Sequence, residues 1–313
     1  MNKLNKKMIV SFFFSLAVFS VAALVIALAL SLGRCSKTDD DARVRKNLRG
    51  ESFNVLLVMT DYRPNIFDDY DPQNVSNIFG SVSDDTGERK IKAESMLLVR
   101  FDAAYGELTL TPISGNTLVY LKGADRTLDS VAGEFGVGLL VEKIHAMTGL
   151  EIDRYMIFTP ESAAKAFNSI GEIVYKNEYN KIWQDEILGI DINIEQGNQS
   201  FDGEKTVDLI KYFSYPSNDN DKNEVLLYFT KKIAKKVTDD FTYDELCGII
   251  SFISDCAYGK TELTGGNIDL LSKAEELDVK FLPLCGSLDE MLRFIPDEAA
   301  TLEAFKPYRR IYS

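Results

Sequence analysis

Residues 94–117, ESMLLVRFDAAYGELTLTPISGNT, decide the fold. Met96–Phe101 and Leu108–Pro112 are β-rich apolar runs with a polar, glycine-containing turn between them, the pattern of a hairpin. Upstream, Asn54–Met59 (NVLLVM) is a third apolar run, ending in Thr60-Asp61-Tyr62-Arg63. Downstream, Tyr155–Phe158 reads as a short strand. Thr159 then caps a helix with Pro160 at its first position, where a fixed φ and a missing N–H suit a helix start. Ala163, Ala166, Phe167 and Ile170 form its buried stripe, and Gly171 ends it. Apolar strands interleaved with amphipathic helices point to an α/β fold.

The rest of the chain supplies boundaries. Met8–Leu32 runs for 25 residues without a charge, and Lys3, Lys6 and Lys7 precede it. A helix of that length spans roughly 37 Å, enough to cross a hydrocarbon core of about 30 Å. Basic residues before the span favour a cytoplasmic N-terminus. A cleaved signal peptide has a shorter apolar region, and Arg34 stands where a lipoprotein box needs a small residue before Cys35. The expected organisation is a cytoplasmic basic segment (1–7), a transmembrane anchor (8–32), a charged juxtamembrane tether (33–52) and an extracytoplasmic domain (53–313). That makes it a single-pass protein of the cell membrane.

Without the three leading lysines, 32 basic residues face 48 acidic ones, a formal charge of −16. Such a surface repels polyphosphate chains and excludes nucleic acid as a partner. The cysteines at 35, 247, 256 and 285 form no Cys-x-x-Cys pair and the only histidine is His145, so the spacing does not support a zinc site. A bridge among Cys247, Cys256 and Cys285 and three free thiols both stand as readings.

Asp61–Arg89 is a long polar excursion. Thr127–Gly149 is helical in its second half, while Gly133, Gly136 and Gly138 in and after the first half mark a turn or a close approach. Asp221–Val237 and Tyr243–Cys256 are amphipathic helices, Val279–Leu284 is the final strand and Pro296–Phe305 the last helix.

These segments resemble the LytR-CpsA-Psr family, bacterial extracytoplasmic enzymes that attach cell-envelope glycopolymers to the wall. Family strands end in Gly-Thr-Asp-x-Arg, begin Arg-x-Asp-Thr-Met and close with Ser-x-Pro-Arg-Asp-Thr. Here those positions read Met59-Thr60-Asp61-Tyr62-Arg63, Lys92-Ala93-Glu94-Ser95-Met96 and Pro112-Ile113-Ser114-Gly115-Asn116-Thr117. Thr148–Tyr155 matches the signature Leu-Gly-x-x-Ile-Asp-x-Tyr, and Gly197, Asp202 and Gly203 match a Gly…Asp-Gly element. Lys211 and Phe213 stand where that element carries two arginines; Lys222, Val225, Leu226 and Leu227 stand where a following Arg-x-x-Arg-Gln-Gln belongs. The resemblance runs from about Phe53 to Phe305 and implies a three-layer sandwich, with a mixed central sheet covered by helices on both faces.

It also implies a chemistry. Family members hold a polyprenyl-pyrophosphate-linked glycan and transfer the phosphoglycan to a sugar hydroxyl. A pyrophosphate calls for bidentate arginines, a carboxylate-held Mg²⁺, or both. On this reading Asp61, Arg63, Lys92 and Glu94 are the catalytic set, and Asp61 and Glu94 are the ligands of Mg²⁺, the one cofactor implied. Lys211, Lys222, Arg100 and Asn116 contact substrate, with Lys122 and Arg126 as further compensating cations. Gly115 and Asn116 remove a cation and a carboxylate outright, and each lost oriented cation costs several kcal/mol of transition-state stabilisation. Lysine keeps charge but not the planar fork.

The expected function is a membrane-anchored protein of cell-envelope glycopolymer assembly. It binds a polyprenyl-phosphate-type lipid-linked ligand with weak or lost transferase activity, its partners being that lipid-linked glycan, the membrane and peptidoglycan. Two alternatives stand. One is an active Mg²⁺-dependent phosphotransferase attaching teichoic-acid- or capsule-type polymer to peptidoglycan. The other is a non-catalytic envelope scaffold using the Asp61–Arg89 excursion. Blander readings stand beside them: Asp61 and Arg63 as a surface ion pair worth about 0–1 kcal/mol, Lys211 and Lys222 as solvated helix lysines, and His145 with no chemical role.

Overall fold

The structure is a computed structural model that describes residues 52–60, 81–84, 87–90, 92–102, 107–185, 190–214, 225, 228–229, 232–233, 236, 240–259, 278–291 and 293–309. The expected anchor and tether, Asp61, Arg63, Lys222, Leu226, Leu227 and the side chains of Phe213 and Cys247 lie outside this description. Among the described residues no helix is long and apolar enough to cross a membrane.

Strand β1 (Ser52–Thr60) is the hub. It is followed by the hairpin β2 (Ser81–Asp84) and β3 (Gly87–Lys90), which closes the long polar excursion, and then by β4 (Ala93–Asp102) and β5 (Glu107–Ser114). β4 and β5 form the expected hairpin, antiparallel from Ser95↔Ser114 to Asp102↔Glu107. A second hairpin, β6 (Leu118–Leu121) and β7 (Ala124–Thr127), leads into helices α1 (Leu128–Phe135) and α2 (Val137–Thr148). β8 (Arg154–Phe158) returns beside β1 in parallel register, Val55↔Arg154 to Met59↔Phe158.

Helix α3 (Pro160–Ile170) follows as expected, with a full capping box. Ser162 N–H donates to Thr159 Oγ1 at 3.1 Å, and Thr159 N–H donates to Ser162 Oγ at 3.0 Å. Four short strands come next, β9 (Ile173–Asn177), β10 (Lys181–Asp185), β11 (Ile190–Ile194) and β12 (Gly197–Phe201), paired as β9–β12 and β10–β11. Then come α4 (Gly203–Ser214), α5 (Tyr243–Cys256), β13 (Asp278–Phe281), β14 (Gly286–Leu288), β15 (Phe294–Pro296) and α6 (Glu298–Phe305).

The central sheet has the order β13-β5-β4-β1-β8 and mixes parallel with antiparallel pairs. β1 is apolar from Val55 to Met59 because both of its faces are covered. Val55, Leu57 and Met59 join α3, α4, α5 and the helical residues Val225, Phe229 and Ile233 on one side. Leu56 and Val58 join α1, α2 and α6 on the other. The mixed sheet with helices on both faces is therefore as the sequence predicts.

Three residues that match the family pattern serve this scaffold. Asp153 Oδ2 accepts the Asn54 N–H at 2.8 Å, and its own N–H donates to Asn54 O at 2.9 Å, clamping the start of β8 to β1. Gly149 closes α2 in the left-handed conformation, φ +68°. A Cβ on Gly203 would stand 1.9 Å from Ala164 O, so only glycine lets α4 approach α3 so closely.

Several expectations need correction. The first half of Thr127–Gly149 is helical too; Gly133 lies within α1 and Gly138 within α2, and only Gly136, φ +84°, makes the break. β13 is not the final strand, since β14 and β15 pair after it. Cys256 and Cys285 are free thiols, so neither takes part in the bridge left open by the sequence. His145 Nδ1 sits 2.8 Å from Leu150 O in the last turn of α2, a local helix-end contact.

Candidate functional site

β1 and β8 run parallel and end side by side at Met59 and Phe158, where β4 begins and β5 finishes. The carboxyl ends of parallel strands are where open α/β sheets bind ligands, because chains leave the sheet there and open a crevice. Thr60 closes β1 at this edge. It is 1 % exposed, and its hydroxyl makes no hydrogen bond among the described residues.

The edge is irregular at one informative point. Met59 faces Ser95 but Thr60 faces Ala93, so Glu94 is the extra residue of a β-bulge. A bulge takes one side chain out of the in–out alternation and re-aims it. Glu94 is half-buried there, one residue from the core strand.

Gly115 lies across from the bulge. A Cβ at this position would stand 2.7 Å from Ala93 O, 3.0 Å from Asp129 Cβ and 3.2 Å from Glu94 O. The missing arginine of the family motif is thus excluded by backbone on one side and by helix α1 on the other. Asn116 is exposed in the turn beyond; its N–H donates to Ser114 Oγ at 3.1 Å and its carbonyl accepts from Phe294 N–H at 3.2 Å.

Asp129, in the first turn of α1, completes the corner. Its N–H donates to Gly115 O at 2.9 Å, and Oδ1 accepts from Ser130 N–H at 2.6 Å. Oδ2 accepts from Lys92 Nζ at 3.3 Å. The N-terminus of α1 favours a negative charge at that position. The Lys92 side chain is 50 % exposed and that of Asp129 16 %.

The structure therefore brings Lys92, Glu94 and Asn116 together around Gly115. It does not bring Arg100 to them. Six residues along β4 separate Arg100 from Glu94, about 20 Å at a strand rise of about 3.3 Å. Arg100 is buried at the opposite end of the sheet, where Nη2 donates to Asp102 Oδ2 at 2.6 Å and Nε to Tyr308 O at 3.1 Å. It is a structural residue, which corrects its expected substrate contact. Lys122 and Arg126 are also engaged elsewhere, lying 4.4 Å and 5.2 Å from the Phe135 ring centroid, with Arg126 also paired to Glu134.

Lys211 differs from its bland reading. It is 5 % exposed on α4, in the helix layer over the Val55–Met59 face, not solvated. A charge is not carried into an interior without fixed partners. Val225, at a family arginine position, is 0 % exposed and part of the apolar core.

Elsewhere, burial pushes the Cys256 thiol and the Tyr155 and Tyr258 hydroxyls above their ordinary values, along the edge where Tyr258 pairs with Ile157 of β8. The hydrogen bond from Lys165 to Glu161 raises the Lys165 ammonium. Of the two carboxylates expected to hold Mg²⁺, only Glu94 is described. Among the described residues no three His, Cys, Asp or Glu side chains gather to hold a metal.

Sequence reasoning missed Asp129. Its only signal was an acid in the first turn of a helix, which ordinary helix starts share.

Comparisons with known proteins agree with this architecture. The structure resembles protein gbs0355 of Streptococcus agalactiae at TM-score 0.59 and 13% identity, covering 88% of this chain and 93% of that one. It resembles TagV of B. subtilis at TM-score 0.57 and 14% identity, covering 82% and 95%. It resembles a transcriptional regulator (EF0465) of Enterococcus faecalis at TM-score 0.53 and 15% identity, covering 82% and 86%. At such identities the likeness is one of fold. No curated protein matches the sequence. The model of the LytR_cpsA_psr family matches residues 28–248, more than two thirds of the chain, and the protein therefore belongs to the LytR_cpsA_psr family.

Proposed function

We propose that this protein works in cell-envelope glycopolymer assembly as a membrane-anchored, extracytoplasmic binder of a polyprenyl-phosphate-type lipid-linked ligand, with transferase activity weak or lost. Family membership supports the envelope role. The observation that carries the loss of activity is Gly115, lodged against the Ala93 and Glu94 carbonyls and Asp129, where no arginine can enter without displacing the edge of β4. Transfer of a phosphoglycan builds negative charge on oxygens that bidentate guanidinium groups would otherwise hold. Lys92 offers one point charge in their place.

Binding asks less than transfer. The half-exposed Lys92 ammonium suits a phosphate-bearing head, and the helix layer over the Val55–Met59 face is apolar at Val225, where the family carries an arginine. The test uses the full-length protein purified in detergent. Lipid extraction and mass spectrometry are expected to find a co-purifying prenyl phosphate, and incubation with a lipid-linked glycan and peptidoglycan is expected to yield little or no transfer. Lipid-free protein, or transfer at a rate dependent on Glu94, overturns the reading.

A further inference from the structure

We propose that Asp129 is a positioning residue: it holds the Lys92 ammonium at the solvent-facing start of β4, beside the crowded Gly115, so that Lys92 supplies the cationic contact for a ligand phosphate at that surface. The inference rests on the proposed binding of a phosphate-bearing lipid head.

Three observations converge. The groups that crowd the absent 115 side chain are Ala93 O, Glu94 O and Asp129 Cβ. Lys92 immediately precedes Ala93 and reaches Asp129 Oδ2 at 3.3 Å. Asp129 itself is stiffly held, with Oδ1 on the Ser130 N–H at 2.6 Å and its N–H on Gly115 O at 2.9 Å. A half-exposed lysine left alone samples many rotamers, and fixing it costs entropy that a ligand must otherwise offset. An anchored carboxylate removes part of that cost beforehand. The ammonium donates up to three hydrogen bonds, and half of the side chain faces solvent, so it can hold Asp129 and a ligand oxygen together.

The sign of one measurement decides the matter. By charge alone, Asp129 repels an anionic ligand, and removing it strengthens binding. As a positioning residue, its removal weakens binding. Full-length protein in detergent is titrated with geranyl pyrophosphate, comparing wild type, Lys92→Ala, Asp129→Asn and the double variant. Each single substitution is expected to weaken binding by roughly three- to fivefold, near the upper end of what an exposed pair supplies. The double variant is expected to be no weaker than Lys92→Ala, because the two residues act through one contact.

Separately, the rate of Lys92 acetylation without ligand, read by peptide mass spectrometry, is expected to rise several-fold in Asp129→Asn. If Asp129→Asn unfolds, Asp129→Ser keeps an acceptor for the Ser130 N–H and drops the charge. Asp129→Asn that binds equally or more tightly while Lys92→Ala binds weakly overturns the proposal, as does unchanged acetylation. Wild-type protein that takes up no geranyl pyrophosphate counts against the proposed function instead, and the acetylation rate then decides the Lys92–Asp129 tie by itself.

Discussion

Substituting Gly115 by alanine isolates the steric argument from every other effect. Gly115 is not among the residues with positive φ, so alanine is allowed there by the backbone and only space opposes it. Its Cβ would stand 2.7 Å from Ala93 O, whereas carbon–carbonyl contacts settle at about 3.3–3.6 Å. The overlap is thus at least about half an ångström, against a strand carbonyl beside the bulge that cannot rotate away. A second close neighbour, Asp129 Cβ at 3.0 Å, blocks retreat toward α1. Overpacking of this kind costs about 1–3 kcal/mol, and in a domain of this size each kcal/mol lowers Tm by about 2–4 °C. Thermal unfolding of the full-length protein, followed by circular dichroism, is expected to show a fall of about 2–12 °C. Gly115→Arg is expected to fall further and to gain no transferase activity. An unchanged Tm in Gly115→Ala, or a Gly115→Arg variant that folds normally and transfers glycan, refutes the claim that the fold excludes the arginine.

Arg100→Met leaves Asp102 buried without its guanidinium and is expected to cost about 3 kcal/mol in urea unfolding; an equal loss of ligand affinity in the folded protein would return Arg100 to the site. Thr60→Val removes a buried hydroxyl that has no partner among the described residues. It is expected to stabilise by about 1 kcal/mol in the same assay, and weakened geranyl pyrophosphate binding would instead make that hydroxyl a ligand contact. The Cys256 thiol, raised above its ordinary value of 9.0 by burial, remains protonated and slow toward iodoacetamide at pH 7.5. Its alkylation is expected to keep rising with pH past 9.0, where an ordinary thiol levels off; rapid labelling of Cys256 at neutral pH contradicts the packing of the α5 end.

Local chemistry made much of the architecture legible. The β4–β5 hairpin, the β8 strand and the capped helix α3 were all readable because turn composition, apolar runs and Thr-Pro caps act within a few residues. The family motif Ile152-Asp153 was readable as a motif, but its work was not: Asp153 clamps Asn54, which lies far away in sequence. The first half of the Thr127–Gly149 segment was misjudged because glycine propensity is a weak prior, and packing of Leu128, Val131 and Ala132 in the core overrides it.

By itself, then, the sequence determined that the chain is an acidic α/β protein with the motif scaffold of its family and a depleted set of arginines. These follow from composition, short-range periodicity and motif spacing, which need no knowledge of what lies opposite what. Only the tertiary structure decided the fate of the individual site residues. Arg100 looked close to Glu94 in sequence, but an extended strand carries it to the far end of the sheet. Lys211 looked like a solvated helix lysine until packing enclosed it. The glycine at 115 read as a simple deletion of charge; three-dimensional crowding by Ala93, Glu94 and Asp129 makes it a position that no side chain can share, because steric exclusion between distant residues exists only once the strands and α1 have met.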